Sequence, residues 1–155
     1  METEIQQILS LLKKTFEGGA WHGPSVKESL EGLSEPQVFN RVPNTHSIIE
    51  LVAHMAAWKT YVAKKLNGDA GYNVTDDLNF RQPESWETTL NELQESQREL
   101  VAAIEGFPPD KLMEQVPWTQ EPFSYYTILH GVIHHDLYHI GQINLIKKAT
   151  VAQPL

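Results

Sequence analysis

The sequence predicts an all-α protein, a bundle of four long helices. Four segments repeat apolar residues at the i, i+3, i+4, i+7 spacing of an amphipathic helix. Each segment is bounded by residues that start or stop helices. No segment carries the convincing apolar–polar alternation of a strand. With 155 residues the chain is long enough for one domain with a full hydrophobic core, so residues 1–155 are read as a single helical domain.

The first long helix spans residues 3–17. Ile5, Ile8, Leu9, Leu12 and Phe16 form its stripe, and Gly18–Gly19 supplies the stop. After the loop Trp21–His22–Gly23–Pro24–Ser25, Ser25 and Glu28 have capping-box spacing, which predicts a short helix from Val26 to Glu31. Ser34, Pro36, Asn40, Pro43 and Asn44 then leave at most a turn of helix around Glu35–Phe39. Ser47 with Glu50 sets the start of the second long helix at Ile48. Its face collects Ile48, Leu51, His54, Met55, Trp58, Tyr61 and Val62, and it ends near Leu66, before Asn67–Gly68.

Residues 67–84 form a polar connection with no helical pattern, long for a compact domain. It has the length to cross from one end of a bundle to the other, which allows the second and third long helices to run parallel. The third starts after Ser85, carries Trp86, Leu90, Leu93, Gln97, Leu100 and Ile104, and closes at Gly106. Pro108–Pro109 opens a short turn through Leu112, and a loop from Val116 to Phe123 carries Pro117, Trp118 and Pro122. The last helix is capped by Ser124 and runs to about Ala149.

Composition narrows the function classes. The formal net charge is −8, and the lysine pairs Lys13–Lys14, Lys64–Lys65 and Lys147–Lys148 lie near helix ends, where a cation complements the dipole. No basic face for nucleic acid is visible. Without cysteine the chain has no disulfide and no thiolate ligand, and any thiol chemistry needs a thiol from outside. No apolar run suggests a membrane span and residues 1–16 do not read as a secretory signal, so a soluble cytoplasmic protein is expected.

Four of the seven histidines lie in the last helix, as the pairs His130/His134 and His135/His139. Side chains at i and i+4 meet on one helix face. At 100° per residue the two pairs sit about 140° apart. His135 and His139 share a stripe with Ile128, Val132, Gln142 and Ile146, which is read as the interior one. His130 and His134 share a mixed stripe that looks toward a helix edge, solvent or a partner subunit. Two buried imidazoles need bonded nitrogens, and a third, His54, lies mid-helix on another interior face. Three converging imidazoles suit zinc, nickel, copper or iron, and three protein ligands with the rest open is the catalytic pattern. The spacing equally admits three core histidines bonded to carbonyls or water.

The run His135–Asp136–Leu137–Tyr138–His139–Ile140–Gly141–Gln142–Ile143 resembles the last-helix signature of the DinB/YfiT-like family, whose members are regarded as metalloenzymes. Ser47 through Trp58 resembles that family's second-helix motif, and Trp21–Ser25 its segment after the first helix. The resemblance covers nearly the whole chain. It implies a four-helix bundle with up-down-down-up connectivity, and one divalent ion, usually zinc or nickel, held by His54, His135 and His139.

Several neighbours carry two readings each. Glu50 is one turn before His54 and is either a base or a group behind the ligands, but its cap already explains it. Gln142 either orients a bound molecule or bonds within the bundle. Trp58 either walls a pocket or fills the core, the core being the simpler reading. His22 either closes over the metal or is a surface loop residue. Asp136 and Tyr138 flank the ligand stripe, and a surface or interface place is expected for both.

An open three-histidine site points to two chemistries. In the first, the metal activates a low-molecular-weight thiol for S-transfer to an electrophile, as in those members of the resembled family that use bacillithiol, mycothiol or glutathione. In the second it activates water for hydrolysis, which needs a positioned carboxylate. A non-catalytic, stress-related metal-binding module is the third possibility. A small-molecule substrate and a homodimer are expected, the latter because bundles of this family often pair through helix faces.

Overall fold

A computed structural model describes residues 3–117, 119 and 121–151. Among these there is no strand, and the isolated bridge between Gln115 and Ser124 is the β pairing seen. The elements are α1 (Glu4–Glu17), α2 (Val26–Leu30), α3 (Glu35–Phe39), α4 (Ile48–Leu66), α5 (Asp76–Asn79), α6 (Trp86–Glu105), a 3-10 turn (Pro109–Lys111) and α7 (Tyr125–Val151). Trp118, assigned by sequence to the loop before the last helix, lies outside the described residues.

Local chemistry accounts for the boundaries. Gly18 ends α1 at φ 142°, a conformation that favours glycine, and its N–H reaches Lys14 O. At α2 the Ser25 hydroxyl and the Glu28 carboxylate satisfy each other's backbone N–H groups. Glu50 accepts from Ser47 N and Ser47 Oγ, both at 2.8 Å, at the start of α4. Ser85 Oγ accepts from Thr88 N and Ser124 Oγ from Thr127 N, so both expected caps form.

The connection 67–84 departs from its expected form. It contains one helical turn, α5, and it does more than span a distance: Asn79 and Phe80 fold back onto α4, and Arg81 pairs with Glu92 of α6.

The four long helices enclose one apolar interior, with α1 and α4 each packed on both α6 and α7. It divides into two clusters. One joins Ile5, Ile8 and Leu12 of α1 and Leu129 and Val132 of α7 to Val62 of α4 and Leu100 of α6. The other joins Phe16 of α1 and Ile140, Ile143 and Ile146 of α7 to Ile48 through Met55 of α4 and Leu93 of α6. The histidine cluster lies between them.

The interior stripe of α7 is rotated by about one residue from the expected one. Leu129, Val132, Asp136, His139, Ile143 and Ile146 are buried, while Ile128, His135 and Gln142 are half-buried at its edge. Asp136 therefore belongs to the core and not to the surface or an interface. Its carboxylate faces α4, where Lys59 neutralises it. Tyr138 is exposed, as expected.

Candidate metal centre

His54 comes from the middle of α4, and His135 and His139 from consecutive turns of α7. Their ring nitrogens converge. His135 Nε2 lies 2.9 Å from His54 Nε2 and 3.1 Å from His139 Nε2. His54 and His139 are buried and His135 is half-buried.

Each outer ring nitrogen shows what the cluster lacks. His54 Nδ1 donates to the carbonyl of Asn79 at 2.5 Å, which leaves its Nε2 as a bare lone pair when the ring is neutral. His139 Nδ1 donates to Gln142 Oε1 at 2.6 Å, with the same result. His135 has a single proton to offer. Placed on Nε2 it serves one of two facing lone pairs; placed on Nδ1 it has no partner, since that buried atom has none among the described residues. No tautomer satisfies all three rings. An ion among the three Nε2 atoms satisfies all three of those nitrogens and leaves only His135 Nδ1 without a partner among the described residues. At zinc–nitrogen bonds of about 2.0–2.1 Å with tetrahedral angles the nitrogens stand about 3.3 Å apart, a few tenths of an ångström wider than here. The cluster fits a metal-binding site, and its all-nitrogen donor set suits a divalent transition ion.

The surroundings keep the rings neutral. Burial, then the neighbouring His139 and His54 and the Lys59 ammonium, push His135 down to about 3. Burial also lowers His54 and His139, against the upward pull of their bonds to Asn79 and Gln142. Neutral imidazoles are the ligating form. Phe80 stacks on His54 at 4.0 Å between ring centres, and His46 stacks on the far face of Phe80 at 3.9 Å. Trp58 stands edge-on to His54 and donates from Nε1 to Asn79 Oδ1 at 3.1 Å, so one asparagine holds both rings.

The neighbouring residues now have places. Gln142 orients His139. Trp58 is half-buried and lines a cavity, so it is a pocket wall and not a core tryptophan. Glu50 is buried and occupied by its cap and by Arg41, which leaves it no part in the cluster. His22 is exposed in the turn before α2 and does not join the three converging rings. His134 is exposed, while His130 is half-buried and packs against Tyr126 with its ring tilted by 46°.

Sequence reasoning missed His46, Asn79 and Phe80, which lie in loops and a one-turn helix with no pattern to read. It also missed Lys59. Lys59 Nζ is 2.5 Å from Asp136 Oδ2, both side chains are fully buried, and the ammonium sits 5.3 Å from the centre of the Phe16 ring. Burial raises the Asp136 carboxyl above its usual range, against the lowering pull of Lys59. A Lys–Asp complement at facing positions of two helices was the one available signal, and the separation of 77 residues concealed it.

Beside His135 a cavity of about 650 Å³ opens between α4, the connection after it and the N-terminal half of α7. Its outer wall is the loop before α7, clasped by Val116 N donating to Phe123 O at 2.8 Å and Tyr126 N to Leu112 O at 2.8 Å. No helix among the described residues is long and apolar enough to cross a membrane.

Comparison with curated proteins and with solved structures finds no match to this chain. The family model described as DinB superfamily matches residues 22–143, a span that contains all three converging histidines and nearly four-fifths of the sequence. The chain belongs to the DinB superfamily.

Proposed function

We propose that this protein is a metal-dependent enzyme in which His54, His135 and His139 hold one divalent transition ion, zinc or nickel, and that it activates a low-molecular-weight thiol for transfer to an electrophile. The observation that carries this reading is the convergence of three Nε2 atoms that no arrangement of protons satisfies, at the edge of a cavity. The fold reading beside it is a single four-helix bundle with up-down-down-up connectivity. It is supported by the two apolar clusters, which pair the N-terminal parts of α1 and α7 with the C-terminal parts of α4 and α6, and the converse.

A divalent ion at this position supplies Lewis acidity, which lowers the pKa of a thiol or water bound beside it. The chain's own contribution is positional. Asn79 and Gln142 fix the tautomers of His54 and His139, so both present Nε2 lone pairs. Trp58 and Phe80 exclude water from one side of the cluster. In the transfer, a sulfur–carbon bond forms, the electrophile's leaving group departs with its bonding pair, and the thiol proton passes to water.

Hydrolysis is favoured by one observation: Glu121, in the cavity wall, is a carboxylate within the same pocket as His135. It is exposed and on a loop, and the other nearby acids, Glu50 and Asp136, are already paired. Transfer needs no carboxylate and is therefore ranked first.

Elemental analysis of the purified protein is expected to find one divalent ion per chain, and His135→Ala to lose it. Metal-loaded protein is expected to accelerate conjugation of monochlorobimane with at least one small thiol. Full metal occupancy in His135→Ala overturns the ligand assignment. Metal binding without acceleration by any thiol, combined with ester hydrolysis that Glu121→Gln abolishes, selects the hydrolase. Metal binding with neither activity selects the stress-related binding module.

A further inference from the structure

We propose that the cavity beside His135 binds a neutral, apolar, ring-bearing molecule, and that this occupant is the electrophile of the transfer and not the thiol. Calling the occupant an electrophile rests on the transfer reading above; its charge and shape do not.

The walls set the chemistry. Trp58 and Tyr61 of α4 and Phe123 of the loop supply aromatic surface, and Val62, Ile128 and Val132 supply aliphatic surface. Aromatic walls favour flat rings. A volume of about 650 Å³ is within the range that accepts drug-sized molecules.

Charge narrows the occupant further. Among the described lining residues Glu121 is the sole acidic group and there is no lysine or arginine. The sequence has neither between Val116 and Phe123, and the chain as a whole carries −8. Apart from the ion held at the histidine cluster, which the thiol sulfur takes up in the transfer, a carboxylate, phosphate or sulfonate in this cavity would lose its water and meet Glu121 with no lysine or arginine in the lining. Small thiols that carry carboxylates are therefore poor occupants.

Gly131 is an independent pointer. It lies within α7, one turn before His135 on the same side, and lines the cavity. Glycine inside a helix costs about 1 kcal/mol relative to alanine. A Cβ at Gly131 would meet nothing within 4 Å, so no packing requirement accounts for the missing side chain. Its absence keeps open space in the cavity that His135 also lines, and a larger side chain there would project into that space.

The test uses the full-length, metal-loaded protein and two fluorescent probes that share their rings: neutral N-phenyl-1-naphthylamine and 8-anilino-1-naphthalenesulfonate. The neutral probe is expected to bind one site per chain at least about tenfold more tightly than the sulfonate. Gly131→Leu is expected to weaken the neutral probe by about tenfold or more while leaving metal content unchanged. Glu121→Lys, a change on an exposed loop, is expected to tighten the sulfonate and narrow the gap. Sulfonate binding as tight as the neutral probe, or neutral binding indifferent to Gly131→Leu in a folded variant, overturns the inference. Should Gly131→Leu fail to fold, the two-probe comparison on the parent chain and Glu121→Lys decide it. Failure of the metal reading shows separately, as protein that binds no ion whatever its probe affinity.

Discussion

Two polar clusters share the α4–α7 interface, and they meet the cost of burial in opposite ways. Lys59 and Asp136 cancel their charges within the chain: a cation and an anion face each other, although Asp136 Oδ1 has no partner among the described residues. His54, His135 and His139 have no such balance. With the protons of His54 and His139 committed to Asn79 and Gln142, lone pairs outnumber protons where the three rings meet, and the deficit is filled by something from outside. The two clusters are adjacent, since Asp136 follows His135 and Lys59 lies five residues after His54. The difference teaches which one is structural. A buried pair whose charges cancel locks two helices together, while a buried cluster whose converging lone pairs find no proton is a binding site held in readiness.

The largest effect is expected from breaking the charge-balanced pair. Asp136→Ala leaves a buried ammonium without its partner and is expected to cost about 3–5 kcal/mol of stability, measured by denaturant unfolding. Replacing both, as Lys59→Met with Asp136→Leu, is expected to be neutral or to stabilise by about 1–4 kcal/mol. A double variant as damaged as the single one would mean that the pair does more than neutralise itself.

Acid sharpens the comparison from the other side. In metal-free protein the folded histidines hold protons less readily than the unfolded chain, whose value is 6.5. Above that value neither state is charged at these rings and their full contribution is present. As pH falls below it, the unfolded chain takes up protons first, so stability drops, for His135 by about 1.4 kcal/mol per pH unit, with His54 and His139 adding in the same direction. For His135 the loss continues until the folded ring titrates at about 3. Unfolding midpoints of the metal-free chain are expected to fall steadily below about pH 6.5, and bound metal to delay the fall. Midpoints unchanged down to about pH 5 would show that the rings are not held neutral.

The smallest effect is expected at the support of the open cluster. Gln142→Ala removes the acceptor from His139 Nδ1 and is expected to weaken metal affinity by about 10–100-fold, read by competition with a chelator. Fold and helix content are expected to be unchanged, because Gln142 is half-buried at the edge of the interior stripe. Unaltered affinity would show that His139 is oriented by packing alone.

The long helices were legible because caps and periodicity are local. Ser47 with Glu50 and the break at Asn67–Gly68 mark α4 at Ile48–Leu66, the bounds observed. His135 and His139 were legible for the same reason, being one turn apart on one helix. Other features depend on what meets what. A lysine between Trp58 and Thr60 reads as a solvated charge until Asp136 is brought opposite it. Asn79 and Phe80 sit in a connection whose sequence shows only that it is polar and long, and folding back places one on the His54 ring nitrogen and the other on its face.

The sequence by itself determined the long helices, their caps and the pairing of His135 with His139, because each depends on residues within a turn or two of one another. Tertiary structure decided the rest. It rotated α7 by about one residue, so that Asp136 entered the core and His135 moved to the rim, where the cluster opens on a cavity. The physical reason is that helical phase is known from sequence to within about one residue, or 100°. Only the partner helix, by offering Lys59 to Asp136 and His54 to His135, selects among the neighbouring phases.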